Sequence, residues 1–323
     1  MISRRKTLVL LASAGLAQSL GAQQPVRRVA WFGAGRAGVP SPFLDAVKVG
    51  LREKGWEDGR NLRIAQYLNE GSAQESEFIA RQIVASEPEL IVVYGRDVLT
   101  LTKVRPPQPV VFAFSGDPVE GGVVKSLARP GGNFTGLSFM ALDLAGKRIE
   151  VLREVVPSIR RLGILARPEH PGEHLERAVS ESAARKLGFS VAYAAIQDAH
   201  EIDAALQEIG RAKCDALLVF PDGVMVGLSQ RIAKFALEQK LPTISGWDRF
   251  PDNGFLASYG PKLRESYRKL GHIADRVLRG TKPSDIPVEY PQTVEMVLNL
   301  RTANALGLKL SPAVIARADR VIQ

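Results

Sequence analysis

Two kinds of apolar pattern alternate along the chain. Short runs rich in β-branched residues, such as residues 27–32 and 109–114, predict buried strands. Between such runs apolar residues recur every three or four positions, as in residues 42–54 and 75–86, and this spacing predicts amphipathic helices. Strands that alternate with helices are typical of a parallel sheet covered by helices on both faces.

This alternation occurs twice. The first series ends at residue 114 and the second begins near residue 145, so we predict an α/β protein with two doubly wound parallel-sheet lobes. We expect a helix at 264–279 to return to the first lobe and residues 288–298 to cross back to the second. The predicted strands of the two series cover residues 27–32, 62–68, 89–94, 109–114, 161–166, 190–195, 216–220 and 242–245.

Residues 115–138 separate the two series. Because they follow the strand at 109–114, the first of them lie at the carboxyl end of a parallel strand, where open α/β sheets bind ligands. We predict a short helix at 119–128, which Arg129-Pro130-Gly131-Gly132 ends, and extended chain after it. The segment is therefore expected to carry both a ligand-binding strand end and the crossing to the second lobe.

Long, irregular motifs lie in this segment and beyond it. They are Asp117-Pro118, Ser126-Leu127-Ala128-Arg129-Pro130-Gly131-Gly132-Asn133, Thr135-Gly136, Gly146-Lys147-Arg148, Ser258-Tyr259-Gly260, and residues 278–283, 299–303 and 317–319. Through these motifs the chain resembles a family of ABC transporter substrate-binding proteins, the family that includes tryptophan/tyrosine-type binding proteins. The resemblance covers nearly all of the chain after residue 22.

The resemblance implies a type I periplasmic-binding fold, in which three crossovers form a hinge between the lobes. We expect lobe 1 to comprise residues 27–138 plus 261–287, and lobe 2 to comprise residues 139–260 plus 288–323. The resemblance also implies a monomer that binds a small molecule and delivers it to an ABC permease in the inner membrane. Such a protein uses no cofactor and is not an enzyme. An exported ligand sensor or an enzyme on the same fold is the alternative.

Residues 1–22 have the composition of a cleaved secretory signal. A basic head, Arg4-Arg5-Lys6, precedes an apolar stretch at 8–17 that is too short to span a bilayer, and small residues follow it. Both Sec and Tat export are compatible with this head. The single cysteine, Cys214, can form no internal disulfide. Because it also lies far from the signal, no cysteine is available there for a lipid anchor, and we expect a periplasmic protein without one.

The net charge of the chain is modest once the signal is removed. Three of the nine excess positive charges lie in residues 1–22, which leaves six, and the remaining basic residues are scattered without an arginine-rich run. This pattern argues against a nucleic-acid partner.

Two motifs that suggest catalysis or a cofactor are weak. Gly33-Ala34-Gly35-Arg36-Ala37-Gly38 matches a dinucleotide-binding fingerprint, but Pro40 and Pro42 place the next helix near Ser41, too late for that motif. His170 and His174 are separated by Pro171-Gly172, so we predict a polar loop and no metal site there. No histidine is expected to lie beside Ser115 and activate its hydroxyl.

The remaining hypothesis is a crevice lined by strand ends. We expect a ligand carboxylate to meet backbone N–H groups at Gly33–Gly35 or at Ser115, with Arg36 or Arg96 adding charge. An ammonium group would pair with Asp117 or Asp222, although Asp117 also suits the cap of the following helix, and an apolar body would lie between Tyr94 and Trp247. The candidate ligand-binding residues are Gly33, Gly35, Arg36, Glu70, Tyr94, Gly95, Arg96, Ser115, Asp117, Asp222, Trp247 and Tyr259.

Overall fold

The computed structural model describes residues 26–36, 38–69, 73–139, 141–170 and 172–323. The predicted signal, residues 1–22, lies outside these ranges, as does the candidate site residue Glu70. Within the described ranges, no helix combines the length and the apolar character needed to cross a membrane.

The first lobe is built on a five-stranded parallel sheet with the order β2-β1-β3-β4-β5. The order reverses between β1 and β3, which is the switch point where open α/β sheets leave a crevice. Its elements are β1 (Arg27–Ala34), α1 (Pro42–Arg52), β2 (Leu62–Asn69), α2 (Ala73–Ala85), β3 (Leu90–Tyr94), α3 (Asp97–Val104), β4 (Val110–Phe114) and β5 (Phe134–Ser138).

Helices cover both faces of this sheet. Trp31 of β1 is buried on the face that packs against α1, whereas its neighbour Phe32 is buried on the opposite face with Ile83 of α2 and Leu101 of α3. Since alternate residues of a strand point to opposite faces, a strand buried on both sides must be apolar throughout. This explains the continuous apolar runs in the sequence.

The second lobe contains a seven-stranded sheet with the order β12-β11-β10-β9-β8-β6-β7. Its pairs are parallel except for β10 with β11, which is antiparallel because the chain enters β11 on its return from the first lobe. The remaining elements are α4 (Ala141–Val155), β6 (Arg161–Ala166), α5 (Glu173–Lys186), β7 (Ser190–Ala195), α6 (Ile202–Arg211), β8 (Ala216–Val219), α7 (Gly223–Glu238), β9 (Thr243–Ser245), α8 (Arg249–Asp252), β10 (Ala257–Pro261), α9 (Leu263–Leu278), β11 (Val294–Asn299), α10 (Leu300–Ala305), α11 (Pro312–Ala316) and β12 (Arg320–Ile322).

The helix α9 lies between two strands of the second sheet in sequence but packs against α1 of the first lobe. Two glycines permit the close approach: a Cβ on Gly50 would lie 2.0 Å from the carbonyl oxygen of Arg268, and a Cβ on Gly271 would lie 2.5 Å from that of Val47. After α9, Glu289 pairs with Leu137 at the edge of the first sheet before the chain crosses back. Residues 288 and 289 therefore still form hydrogen bonds with first-lobe residues.

This architecture confirms the predicted α/β fold with two doubly wound lobes, and Ser41 caps α1 with Pro42 as its first residue. The prediction of a short helix at 119–128 is wrong. Asp117 caps a tight turn there, and Gly122 adopts a left-handed conformation (φ 66°), which ends the helical path after one turn.

Candidate functional site

A cavity of about 90 Å³ lies between the two lobes, at the carboxyl ends of their strands. First-lobe strand ends, the beginning of α1 and one face of α9 line one side of it, and loops after β6, β8 and β9 line the other. The lining residues are Ala34, Phe43, Asn69, Tyr94, Gly95, Arg96, Asp97, Ala113, Ser115, Phe139, Leu263 and Tyr267 from the first side, and Arg167, His170, Asp222, Gly223, Val224 and Trp247 from the second.

The first-lobe side of the cavity is an aromatic wall, formed by Phe43, Tyr94 and Tyr267 together with Phe139, the residue that follows β5. The rings of Phe43 and Tyr267 are stacked with centroids 4.4 Å apart, and the ring of Phe139 lies 5.6 Å from that of Tyr267. Tyr94 is stacked on the buried Trp31 at 4.9 Å, and its hydroxyl donates to the carbonyl of Ala34. Such a surface suits a flat apolar group.

Arg167 and Asp222 form a buried ion pair on the second-lobe side. Arg167 Nη1 lies 3.2 Å and 3.3 Å from the two carboxylate oxygens, and Nη2 donates to the carbonyl of Gln197 at 3.2 Å. Arg167 Nε is buried, and within the described part of the chain it has no hydrogen-bond partner. Asp222 also caps α7 by accepting from Val224 N at 2.7 Å. The guanidinium therefore retains a donor that no described residue uses.

A second carboxylate, Asp97, lies on the first-lobe side at the start of α3. Its side chain is almost fully buried, and it accepts hydrogen bonds from Asn69 Nδ2 at 2.9 Å and from the Ser76 hydroxyl. Burial raises the pKa of Asp97, and this effect outweighs the two hydrogen bonds and the nearby Arg96, which lower it. Both hydrogen-bonding partners that the described residues provide for this carboxylate are neutral groups.

Ser115 and His170 meet across the cavity, with Ser115 Oγ 2.6 Å from His170 Nε2. The prediction that no histidine lies beside Ser115 is therefore wrong, whereas His170 does lie in the predicted polar loop, between β6 and α5. His170 is buried, because the loop after β6 packs against the end of β4, and a helix break in the sequence gives no information on that contact. Burial lowers the pKa of His170, so the imidazole is neutral near pH 7.

Glu169 in the loop after β6 and His174 in α5 make two further contacts with the first lobe. Glu169 accepts from Arg96 Nη1 at 3.1 Å, and His174 Nε2 lies 3.1 Å from a carboxylate oxygen of Glu120. Both contacts lie at the exposed rim. Together with the Ser115–His170 contact, they hold the two lobes against each other on one side of the cavity.

The structure brings together half of the candidate ligand-binding residues. Around the cavity it places Tyr94, Gly95, Arg96, Ser115, Asp222 and Trp247.

The other described candidates lie elsewhere or have another role. Gly33 lies beneath the Tyr94 ring, where a Cβ would come within 2.2 Å of it, and Gly35 N donates to the Asn69 carbonyl at 2.9 Å instead of facing a ligand. Arg36 is exposed and is not among the lining residues. Asp117 caps its own turn through Val119 N at 2.7 Å, and Tyr259 packs with the second-lobe core.

Several lining residues were not among the candidates. Asp97 and Arg167 each follow closely after a strand, so the strand-end rule could have included them. Phe43 and Tyr267 come from helices, and their positions depend on how α1 and α9 pack together, which no local pattern indicates.

Residues 42–322 match a protein family described as ABC transporter substrate binding protein. A curated relative, the tyrosine-binding protein of Clostridioides difficile (strain R20291), is 28% identical over 280 residues, which cover 84% of this chain and 79% of the relative. Two solved structures, each 25% identical, cover 92% of this chain and 99% of their own: a conserved domain protein from Vibrio cholerae, with a TM-score of 0.85, and an ABC domain in complex with L-Trp from Streptococcus pneumonia, with a TM-score of 0.84.

Proposed function

Because this chain belongs to the ABC transporter substrate-binding protein family, we propose that it is the solute-binding component of an ABC importer. Its ligand is a small molecule with a carboxylate and an aromatic body, most simply an aromatic amino acid, and it delivers that ligand to a permease in the inner membrane.

One observation carries the proposed ligand class: the same cavity joins an aromatic wall to a buried arginine with an unused donor. The ligand ring would pack between Tyr94 and Trp247, and each offset ring contact contributes about 0.5–1.5 kcal/mol beyond its buried area. The carboxylate would accept from Arg167 Nε in place of the backbone groups at Gly33–Gly35 or at Ser115 expected from the sequence. The names of the Clostridioides difficile relative and of the Streptococcus pneumonia complex support an aromatic amino acid.

Ligand entry requires the lobes to separate. A cavity of about 90 Å³ is smaller than the roughly 300–1,000 Å³ of sites for drug-sized molecules. We propose that the lobes, residues 27–138 with 261–289 and residues 139–260 with 290–323, close about hinges near 137–141, 257–261 and 287–290. Ligand drives closure only if it binds the closed form more tightly than the open one, and contacts from both lobes provide that difference.

The proposed location is the periplasm, with residues 1–22 removed as a signal and no lipid attached. The mature chain would then begin near Gln23. N-terminal sequencing of protein from a periplasmic fraction tests this, and an uncleaved or membrane-retained product would contradict it.

A thermal-shift screen tests the proposed ligand class. Aromatic amino acids, aromatic acids, dicarboxylates, sugars and nucleosides are each added to the purified mature chain. A ligand at 100 times its dissociation constant stabilises the folded state by about 2.7 kcal/mol, which moves the melting temperature measurably. We expect L-tyrosine, L-tryptophan or L-phenylalanine to raise it. If sugars or nucleosides do so and carboxylates do not, the proposed ligand class is wrong.

The Ser115–His170 contact favours one alternative, an exported hydrolase on the same fold, because a serine hydroxyl beside a neutral histidine is the arrangement that activates a nucleophile. Hydrolysis of p-nitrophenyl acetate that Ser115→Ala abolishes would support this alternative. No turnover above the Ser115→Ala background would count against it.

A further inference from the structure

Among the described residues, four charged side chains line the cavity: Arg96, Asp97, Arg167 and Asp222. The two basic groups each have an acidic partner, since Arg96 binds Glu169 and Arg167 binds Asp222. Asp222 is in turn heavily used, because its Oδ1 accepts from Arg167 Nη1 and from the backbone N–H groups of Val224 and Met225. Asp222 is therefore poorly placed to hold a further cation.

Asp97 differs from Asp222 in its lack of a cationic partner among the described residues and in its remaining capacity to accept hydrogen bonds. Its hydrogen bonds come from an amide and a hydroxyl, one to each oxygen, and no cationic side chain within the described residues donates to it. A carboxylate has about four lone-pair sites, so further acceptor capacity remains. A buried carboxylate with neutral partners is unfavourable unless a positive group accompanies it.

We propose that Asp97 binds the ammonium group of the ligand, so that the two charges of an amino acid are recognised by different lobes. The ammonium pairs with Asp97 beside the aromatic wall, and the carboxylate pairs with Arg167 on the opposite side. This inference rests on the proposed function, because it specifies how the same cavity recognises its ligand. It replaces Asp117 and Asp222, the two residues that were expected from the sequence to bind the ammonium.

The division between lobes has a consequence for transport. A ligand with only one of the two charges contacts one lobe strongly and the other weakly, so it stabilises the closed form less than the full amino acid does. The protein would therefore close fully only around a ligand that carries both charges. Deaminated analogues would bind weakly and close the lobes poorly.

Asp97→Asn tests the assignment, because asparagine keeps the size of the side chain and removes its charge. The probes are L-tyrosine and 3-(4-hydroxyphenyl)propionate, which lacks the ammonium, and affinity is measured by calorimetry on the mature chain. Loss of one partner of a desolvated charge pair typically weakens binding at least about 30-fold. We expect that loss for L-tyrosine and a change below about threefold for the propionate.

Asp117→Asn is the matched control. Asp97 and Asp117 both stand three residues after a first-lobe strand, β3 and β4 respectively, but only Asp97 lines the cavity. Asp117→Asn should leave both affinities within about threefold of the unmutated chain.

The outcomes separate the two proposals. If L-tyrosine binds the unmutated chain and Asp97→Asn equally well, the ammonium assignment is wrong while the proposed function stands. Equal weakening of both probes would show a structural role for Asp97 and would also overturn the assignment. If neither probe nor L-tryptophan binds the unmutated chain, both proposals fail.

A pH series on the unmutated chain provides a second measurement if Asp97→Asn does not fold. Asp97 has neighbouring charges on Arg96 and Glu75, and burial makes it easier to protonate than an exposed aspartate. Because only the ionised carboxylate pairs with an ammonium, affinity for L-tyrosine should fall more steeply than affinity for the propionate between pH 7.5 and pH 5. Parallel curves would contradict the assignment.

Discussion

Arg167 illustrates how one buried residue serves both the fold and the site. Its Nη1 and Nη2 groups are fixed by Asp222 and by the Gln197 carbonyl, so the guanidinium plane is held in place before any ligand arrives. Nε is the donor that remains. A positioned arginine costs less conformational entropy on binding than a mobile one, which favours affinity.

Replacement of Arg167 by alanine should weaken binding of L-tyrosine at least about 30-fold, since the carboxylate would lose its charged partner in a desolvated cavity. Calorimetry measures the affinity, and circular dichroism checks the fold. Arg231→Ala is a suitable control because Arg231 forms an exposed ion pair with Asp203 outside the cavity. An Arg167→Ala affinity within about threefold of the unmutated value would exclude Arg167 as the carboxylate site.

At the scale of elements, a buried ion pair joins α4 to α5. The side chains of Arg148 and Glu176 are each 1% exposed, and Arg148 Nε also donates to the Tyr259 carbonyl of β10 at 3.1 Å. Gly246 makes room for the guanidinium, because a Cβ there would lie 2.7 Å from Nη2. The pair therefore fixes two helices and β10, the strand that coincides with one of the proposed hinges.

Glu176→Ala should destabilise the protein by about 3–5 kcal/mol, because it leaves the Arg148 charge buried without its partner. On the same helix, Glu181→Ala removes more exposed pairs with Arg177 and Arg185 and should cost only about 0.3–0.5 kcal/mol per pair. Urea denaturation measures both values. Similar losses in the two variants would mean that Arg148 is compensated in another way.

At the scale of the whole molecule, one set of contacts, made by Glu169, His170 and His174, holds the lobes together on one side of the cavity. Its contact between His170 and Ser115 is buried, whereas the contacts with Arg96 and Glu120 lie at the rim and are screened by water. His170 should therefore contribute most to the closed arrangement.

His170→Ala should shift the ligand-free protein toward an open form with a larger radius of gyration, and saturating L-tyrosine should reduce that radius in the unmutated chain. Small-angle scattering measures both changes. His200→Ala, at an exposed histidine beside Asp198, is the control and should leave the radius unchanged. If ligand changes the radius in no variant, the site is preformed and the hinge proposal fails.

The same histidine predicts how stability depends on pH. Burial lowers the pKa of His170 in the folded state, and the positive charges of Arg167 and Arg148 lower it further. The negative charge of Asp222 raises this pKa but does not outweigh burial. Below about pH 6.5 the unfolded chain therefore binds a proton that the folded chain excludes, and the free energy of unfolding decreases as pH falls. Urea denaturation at pH 7.5 and 5.5 should show a smaller decrease for His170→Gln than for the unmutated chain, and equal decreases would contradict this account.

The amino-acid sequence by itself determined the fold class and the order of its elements. Apolar runs and helical spacing are local, so β1, β4 and the beginning of α1 at Pro42 could be predicted from a few neighbouring residues. The prediction of a helix at 119–128 was wrong, because the Asp117 side chain caps a tight turn and Gly122 adopts a left-handed conformation. The apolar pattern of these ten residues indicates neither feature.

The tertiary structure decided which residues share the cavity. Asp97 and Asp117 occupy the same position after their strands, and that position does not show which of them faces the cavity. Asp97 faces the cavity because Asn69 and Ser76, from the neighbouring β2 and α2, fix its carboxylate, whereas Asp117 turns back onto its own backbone. Ser115 and His170, 55 residues apart, meet because the lobes close against each other. Such contacts are set by the packing of elements distant in sequence, and local patterns of apolar and polar residues do not encode that packing.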